Sequence, residues 1–413
     1  MSTAVGKRTS RRRSTRRTEE GWRERARQVV RVRRILWSVF AVANFALLGA
    51  LFIAMSAVYL DPRPFWWAQI IAVLLPFLAG LTALTTLVVL WRRRWLLFAI
   101  HIAILVWAGV RLGPWDRMQD SLEASPTDLA IMSYNLPLRG YDREGYMDAV
   151  EAFLREQNAD VIALQKAQSA PPHGGRPGYR ALQARIAVER LGYRFFIPAT
   201  VVRRPGTNPA ARPALGLGLL VRRQTRGGDF FVLDQEQIQF SAGDTTPSEA
   251  TRVQFRWQGR QGVMYMVHLR SYGQDKPWDE DTSELRRRGF YETYLRQYRD
   301  AHRRRARDVD ELRARIDAEI LPVIIIGDFN STPNQRDYRV LAGDRQDAFR
   351  AAGVGHGGTW RSDYPFVRID HIIADTSFVV THAHVPDARL SDHRPIIARI
   401  RWRNDRSVDT STE

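Results

Sequence analysis

The hydrophobic and polar positions divide this chain into two regions of different character. Residues 35–112 are almost continuously apolar, whereas the sequence after residue 125 mixes apolar and polar positions as a soluble domain does. Residues 35–60 and 65–91 carry no formal charge, and each stretch can cross a hydrocarbon core of about 30 Å as a helix. Residues 95–110 form a third, shorter apolar stretch. The pattern predicts three N-terminal transmembrane helices within residues 35–112.

After the apolar region, short hydrophobic runs alternate with amphipathic stretches. Residues 143–157 and 283–320 place apolar side chains at helical spacing. Strands are predicted at residues 129–133, 159–164, 215–222, 230–233, 252–257, 263–269, 322–326, 369–374 and 396–402. Many strands with a few helices and several hairpins predict a mixed α/β sandwich.

Shifts in composition set the remaining boundaries. Residues 1–34 form a basic tail, 113–127 a polar linker, 128–403 the folded domain and 404–413 a polar tail. The chain has no cysteine, which excludes disulfides and thiolate metal sites.

The net charge of +18 is concentrated beside the apolar region. Residues 1–34 hold 13 Lys and Arg against 3 Glu, and Arg92, Arg93 and Arg94 separate two apolar stretches. This distribution favours a charge run next to a membrane over a DNA-binding surface. Basic loops stay in the cytoplasm, so the tail and the arginine loop predict a cytoplasmic N-terminus. With three crossings, the chain is predicted to be a multi-pass inner-membrane protein whose C-terminal domain is extracytoplasmic.

Aspartates recur at the edges of three predicted strands. Gly-Asp-Phe-Asn at 327–330 follows one strand, Asp370 begins another, and Asp392 precedes the last one. Asp and Asn are also ordinary turn residues, so one such motif alone would indicate little. Three of them indicate an oxygen-rich cluster of the kind that Mg²⁺ prefers. His268, at the end of a further strand, and His393 are candidates for general acid–base chemistry.

Six short motifs, in this order, resemble those of the endonuclease/exonuclease/phosphatase (DNase I-like) superfamily. They are Ser-Tyr-Asn at 133–135, Ala-Asp to Leu-Gln at 159–165, Val-His-Leu at 267–269, Gly-Asp-Phe-Asn at 327–330, Arg-Ile-Asp at 368–370 and Ser-Asp-His-Arg-Pro at 391–395. The resemblance covers roughly residues 128–403. It implies a four-layer α/β/β/α sandwich with the site at one end of two packed sheets.

The resemblance implies roles for the residues at motif positions. Asn135 and Asp392 would help to hold Mg²⁺ or Mn²⁺. Asp328 and Asn330 would orient the attacking water and the phosphate. The stabilisation of charge on the phosphoryl oxygens would come from the metal and from hydrogen-bond donors.

Two histidines complete the implied catalytic set. His393 would contact the phosphate or act as the base, with Asp370 as its partner. His268 would bind the phosphoryl oxygens or protonate the leaving group. Glu249 resembles the family glutamate that steadies this second histidine.

One position departs from the family pattern. The second motif reads Leu-Gln-Lys, so that Lys166 stands where the family has a glutamate that binds Mg²⁺. Two explanations remain open. Lys166 supplies the positive charge that the metal normally brings and contacts the substrate, or the domain has lost catalysis and retains phosphate binding.

Three functional classes follow from these observations. The favoured one is a membrane-tethered phosphoesterase that cleaves phosphomonoester or phosphodiester bonds by in-line attack of an activated water. Its expected partners are membrane lipids and either a lipid-linked phosphate or a nucleic acid, with no obligate protein partner. The second class is a catalytically weakened phosphate-binding or sensor protein. A transporter is disfavoured, because the apolar stretches contain no formal charge.

Overall fold

The computed structural model describes residues 5–112, 123–136, 145–166, 191–196, 216–240, 248–272 and 289–403. Contacts divide the chain into two compact units: Met1–Ile53 with Leu75–Arg111, and Ala54–Leu74 with Leu112–Glu413. The predicted polar tail and most of the predicted linker lie outside the described residues.

The first unit is helical. Its helices are α1 (Val5–Ser56), which begins within the predicted basic tail, α3 (Leu75–Trp91) and α4 (Trp95–Leu112). Nε2 of the buried His101 lies 3.2 Å from Oδ1 of the buried Asn44. Two polar side chains within apolar helices therefore pair with each other.

Two helices in the described part of the chain, Arg27–Tyr59 and Trp95–Leu112, are long and apolar enough to span a membrane. The predicted span at residues 65–91 is not one helix. It is divided between α2 (Pro62–Val73) and α3, with Leu74 at φ −84° and ψ 0° between them. Pro76 lacks an N–H and its ring crowds the preceding turn, which explains the break. The prediction of three continuous spans is therefore corrected: by length and composition the described residues contain two such helices, or up to three if the bent pair of α2 and α3 counts as one.

The second unit contains two β-sheets. The first has the order β10-β12-β13-β1-β2-β4-β3 and the second the order β5-β6-β7-β8-β11-β9. The strands of the first are β1 (Leu129–Asn135), β2 (Val161–Gln165), β3 (Tyr193–Phe196), β4 (Gly218–Arg222), β10 (Gly353–Val354), β12 (Phe378–His384) and β13 (Ile396–Trp402). Those of the second are β5 (Phe230–Gln239), β6 (Glu249–Trp257), β7 (Arg260–His268), β8 (Val323–Asp328), β9 (Gln346–Asp347) and β11 (Asp370–Ala374).

Helices cover the outer face of each sheet. They are α5 (Tyr146–Gln157) over the first sheet, and α6 (Phe290–Asp317) and α7 (Arg336–Ala342) over the second; a short helix, α8 (Ala348–Ala352), follows β9. Because side chains alternate along a strand, β8 buries Ile324 and Ile326 between the sheets and Val323 and Ile325 beneath the helices. The predicted mixed α/β sandwich is confirmed, with helices on both outer faces.

Candidate active site

Four of the predicted site residues lie in one row across the second sheet. Glu249 of β6 is the register partner of His268 of β7, His268 is the partner of Asp328 of β8, and Asp328 is the partner of Asp370 of β11. Directly opposed residues on neighbouring strands have their Cβ atoms about 4.5–5.5 Å apart. The sheet register alone therefore gathers four candidate site residues that are distant in sequence.

Gly327 allows β7 and β8 to approach closely at this row. Its φ is +147°, and a Cβ atom added there would collide with the carbonyl oxygen of Val267. Only glycine combines this backbone conformation with so close a neighbour. The glycine thus sets the position of Asp328, which follows it.

Asn135, the last residue of β1, brings the first sheet to the same place. Its Nδ2 donates to Oδ2 of Asp328 at 2.8 Å and lies 3.4 Å from Nε2 of His393. Ser391 donates from its hydroxyl to the Asn135 carbonyl oxygen at 2.6 Å and accepts from the His393 backbone N–H at 3.2 Å. These bonds fix the loop that carries His393 against the end of β1.

His393 and Asp370 form a buried pair. Nδ1 of the imidazole lies 2.9 Å from Oδ2 of Asp370, and Nε2 lies 3.8 Å from Oδ2 of Asp328. Burial disfavours the charged imidazole, but the Asp370 and Asp328 carboxylates outweigh it and raise the pKa of His393 above its ordinary value. The pair has the arrangement of a histidine base and its orienting carboxylate.

Asp328 is the centre of the cluster. It accepts from the backbone N–H of Asn330 at 2.8 Å and from Nδ2 of Asn330 at 3.2 Å. Burial, and then the nearby Asp370 carboxylate, raise the pKa of Asp328 to about 6. Asn330 has a left-handed backbone, with φ +46°, a conformation that asparagine tolerates. Asp328 is thus mostly ionised at neutral pH yet close to protonation.

His268 faces Asp328 from the neighbouring strand, with Nε2 3.8 Å from Oδ2 of Asp328. Burial, followed by the positive charge of Lys166 and by His393, lowers the pKa of His268 to about 3. The imidazole is therefore neutral at physiological pH, which suits a hydrogen-bond donor better than a cationic acid.

Lys166 and Asp392 lie together at the rim of the cluster. Nζ of Lys166 is 4.0 Å from Oδ1 of Asp392, and the side chains are 22% and 48% exposed, respectively. Lys166 directly follows Gln165, the register partner of Asn135. An ammonium thus lies beside Asp392, and Lys166 is one position beyond the strand partner of Asn135; these are the two residues that the family pattern assigns to the metal.

The residues present fit a divalent ion only in part. Side-chain atoms of Asp328, Asp370 and His393 lie within 4.8 Å of one another, a buried group that could bind a metal. Oδ1 of Asn135 and Oδ1 of Asp370 are buried with no hydrogen-bond partner in the described part of the chain. At Lys166, however, an ammonium about 4 Å from a unit positive charge costs about 4 kcal/mol at an effective dielectric near 20, and more for a divalent ion. The donor set does not fit Mg²⁺ at the position where the family binds it.

One aromatic and one cationic residue next to the site, Tyr272 and Arg305, could not be predicted from the sequence. Tyr272 donates from its hydroxyl to the Asn330 carbonyl oxygen at 3.2 Å. Arg305 of α6 is fully buried, donates to Asp337 at 2.8 Å and lies over the Tyr272 ring at 5.0 Å. Arg305 belongs to a charged stretch whose hydrophobic spacing indicates an ordinary surface helix, so no local pattern marks it.

A mixed α/β sandwich with buried His–Asp and Asp–Asn groups at one end of its sheets defines a class of phosphoester-cleaving proteins. The chain belongs to the endonuclease/exonuclease/phosphatase family, whose sequence profile matches residues 132–393. No curated protein sequence matches the chain.

Several solved structures are similar. An endonuclease/exonuclease/phosphatase family protein from Bacteroides thetaiotaomicron is 15% identical over 67% of this chain and 96% of that chain, with a TM-score of 0.46. A mannosyl-6-phosphatase from the same organism is 16% identical over 66% of this chain and 100% of that one, with a TM-score of 0.44. The catalytic domain of human Nocturnin with bound sulfate is 17% identical over 70% and 99%, with a TM-score of 0.43.

Proposed function

We propose that the chain is a membrane-tethered phosphoesterase that acts outside the cytoplasm. It hydrolyses a phosphomonoester or phosphodiester by in-line attack of an activated water. The observation that carries the proposal is the buried network of Asn135, Asp328, Asp370 and His393, which joins the ends of the two sheets. Family membership supports phosphoester chemistry for such a network.

In this proposal the buried residues Asp328 and His393 transfer the protons. Asp328, largely ionised at neutral pH, orients the water and accepts its proton. His393, held by Asp370 at 2.9 Å, contacts the phosphoryl group and stores or returns a proton. Asn330, anchored by its Nδ2 to the Leu269 carbonyl oxygen at 2.8 Å, orients the phosphate.

Positive charge for the phosphoryl oxygens comes from the chain itself. The Lys166 ammonium, part-buried beside Asp392, is placed where it can face developing negative charge. Neutral His268 adds a hydrogen-bond donor, and Glu249, its register partner, steadies it. Each donor fixed in advance lowers the barrier, because it needs no reorganisation during the reaction.

Contacts within each unit support the proposed orientation in the membrane. Arg92 and Arg94 lie over the Trp37 ring at 5.3 and 5.6 Å, which brings the arginine loop beside the start of the first span. Ala54–Leu74 belongs to the same unit as the sandwich, so the proposal requires α2 and the sandwich to lie on one side of the membrane. It assigns the two crossings between them to α4 and to α3, whose 17 residues are at the short end of the range for a span. The positive-inside rule then assigns the sandwich to the outer side.

Activity measurements on the full chain test the proposal. The substrates are bis-p-nitrophenyl phosphate, p-nitrophenyl phosphate, single-stranded DNA and a phospholipid, each with Mg²⁺ and with chelator. Asp328→Asn, His268→Gln and His393→Gln should each lower hydrolysis by about 10²-fold or more, because each acts on the transition state. Asp317→Asn, a half-exposed carboxylate at the end of α6, is the matched control and should retain full activity. Full activity in any two of the three site variants would remove this mechanism.

A second candidate function is phosphate binding without turnover. The replacement of a metal-binding carboxylate by Lys166 favours it, because a lysine, the buried His393 and the part-buried His268 can retain an oxyanion after catalysis is lost. Calorimetric binding of inorganic phosphate, in a protein that hydrolyses none of the four substrates, would identify this function.

A further inference from the structure

The segment between the first apolar helix and α3 belongs to the second unit and packs against the sandwich domain. Gln69 of α2 is 1% exposed, and its Nε2 donates to the Ala57 carbonyl oxygen at 2.8 Å. Nε2 of Gln335 donates to the Gln69 carbonyl oxygen at 3.0 Å. The Arg336 backbone N–H donates to Oε1 of Gln69 at 3.1 Å, so a side chain from a distant segment caps the start of α7. Since Arg336 begins α7, Gln69 satisfies one of the N–H groups that a helix start leaves open.

Gln69 is connected through Gln335 to the loop that follows Asn330 of the proposed active site. Oε1 of Gln335 accepts from the Thr332 backbone N–H at 2.8 Å. Thr332 lies two residues beyond Asn330. A segment next to the predicted spans is therefore hydrogen-bonded to the loop that follows Asn330.

An aromatic path makes the same connection independently. The rings of Trp66 and Tyr298 have centroids 6.5 Å apart, and Tyr298 stacks on Tyr272 at 4.2 Å. The Tyr272 hydroxyl donates to the Asn330 carbonyl oxygen at 3.2 Å. Two tyrosine rings and one hydrogen bond thus separate Trp66 from the residue that is proposed to orient the phosphate.

Polar contacts at the surface also join α2 to α6 and α7. Arg63 pairs with Asp310 of α6 at 3.4 Å, and Asp310 also pairs with Arg336 at 2.6 Å. Nε of Arg303 donates to the Arg63 carbonyl oxygen at 2.7 Å. These exposed pairs contribute little energy individually, but with Gln69 they hold α2 in one orientation on α6.

The helix α2 also carries apolar side chains that the catalytic unit does not cover. Phe65 and Trp67 are 41% and 40% exposed. In the chain, α2 is flanked directly by the candidate span Arg27–Tyr59 and by the apolar helix α3. Exposed aromatic residues beside spans are typical of the membrane–water interface.

We propose that the substrate is a phosphoester of a lipid that is held in the membrane, presented to the site across α2. This inference rests on the proposed phosphoesterase function and narrows its substrate class. The helix fixes the active site close to the level at which lipid headgroups lie. A lipid phosphate is confined to that level, whereas a soluble phosphoester or a nucleic acid gains nothing from it.

The test uses the full chain in phosphatidylcholine vesicles and two pairs of substrates that have the same headgroup and differ only in their acyl chains. They are dioleoyl and dihexanoyl phosphatidic acid, and dioleoyl and dihexanoyl phosphatidylglycerol. For at least one pair, kcat/KM should be about tenfold or more higher for the dioleoyl form, because confinement raises its effective concentration. Bis-p-nitrophenyl phosphate and single-stranded DNA are assayed in parallel.

Variants of α2 test whether its exposed aromatic residues cause the preference for long-chain substrates. Phe65→Ser with Trp67→Ser should bring the ratio of long-chain to short-chain rates close to one and leave the short-chain rate unchanged. Ile320→Ser is the matched control, since Ile320 is 98% exposed and lies outside α2; it should change neither rate. An intact short-chain rate also reports a folded variant. If the double variant loses that rate, the milder Trp67→Gln replaces it and should lower the ratio severalfold.

The outcomes separate the two proposals. Equal rates for both chain lengths, a ratio that no α2 variant changes, or cleavage confined to DNA would overturn the lipid substrate and leave the phosphoesterase in place. Absence of hydrolysis for every substrate would overturn both.

Discussion

Among single residues, Lys166 has the largest influence on which chemistry the site can perform. It replaces a carboxylate with an ammonium, 4.0 Å from Asp392, so the local charge changes by two units in the direction that repels a cation. Asn135 still donates to Asp328 at 2.8 Å, and His393 lies 2.9 Å from Asp370. The substitution therefore changes the charge beside Asp392 and leaves these contacts in place.

Substitution of Lys166 distinguishes a lysine that replaces the metal from one that blocks it. If the ammonium serves the phosphate, the native chain should be active in chelator, and Lys166→Met should lose about 10²-fold in kcat, the loss expected for one electrostatic donor. Lys166→Arg keeps the charge and should retain measurable activity. Lys166→Glu should bind Mg²⁺ in calorimetry and show Mg²⁺-dependent hydrolysis. A glutamate variant that gains neither property, in a native chain that is also inactive, would favour the phosphate-binding function.

The depressed pKa of His268 predicts a pH dependence of stability. Its pKa is about 3 in the folded chain, against an ordinary value of about 6.5. Between these values the unfolded chain binds a proton that the folded chain does not, so stability is full above about pH 6.5 and is lost as pH falls, by about 1.4 kcal/mol per pH unit.

The comparison of native and His268→Gln chains isolates this contribution. Denaturant unfolding in detergent between about pH 7 and about pH 5 should show a shallower loss for the variant. The raised pKa of Asp328 makes a contribution to stability that changes with pH in the opposite direction. This contribution is present in both proteins, so it cancels when the two stability profiles are subtracted. Parallel profiles for the two chains would contradict a neutral, buried His268.

The site residues that could be predicted are those whose identity lies in a local motif. Asp328, Asn330 and His393 stand next to strand ends in short sequences, and the structure brings them together as expected. Tyr272 and Gln335 could not be found in this way. Each contacts the site through a bond to a backbone atom, and such a bond leaves no pattern in the sequence.

Among the elements, the pair β7 and β8 determines whether the site can form. Gly327 at φ +147° lets the strands approach so that His268 and Asp328 become register partners. A one-residue slip of either strand would turn both side chains to the wrong face and would also expose the core.

Gly327→Ala should therefore damage stability and activity together. The added methyl group would meet the Val267 carbonyl oxygen in a backbone conformation that alanine rarely adopts. We expect a loss of more than about 2 kcal/mol in the free energy of unfolding and little residual hydrolysis. Gly80→Ala is the control, because a Cβ atom there meets nothing within 4 Å. Normal activity in Gly327→Ala would show that this close approach is not required.

Elements with strong hydrophobic runs were predicted well, and weaker ones were missed. The run at 322–326 corresponds to β8, whereas β12 (Phe378–His384) mixes Thr and His with apolar residues and was not predicted. The break at Leu74 was missed because residues 65–91 are apolar on both sides of it, and composition does not record backbone angles.

For the whole molecule, reporter fusions test the membrane topology. Two basic segments predict a cytoplasmic N-terminus, and Ala54–Leu74 shares a unit with the sandwich. Alkaline phosphatase fused after residue 413 should be active, and so should a fusion within residues 113–122, because both lie beyond three crossings. A fusion after Arg94 should be inactive. Active cytoplasmic reporters at the first two positions would reverse the orientation.

The bond between Gln69 and Gln335 joins positions 266 residues apart, and this separation has a consequence for biogenesis. The ribosome completes α2, between two apolar helices, long before it makes the helix α7 that α2 will cap. In the proposed topology, the sandwich can complete this contact only where α2 has already reached the same face of the membrane. A chain in which one of the two crossings between α2 and the sandwich fails would separate these partners, and a fragment released by proteolysis after the last apolar helix would lack α2 altogether. In the proposed topology, complete insertion is thereby a precondition for a complete sandwich unit.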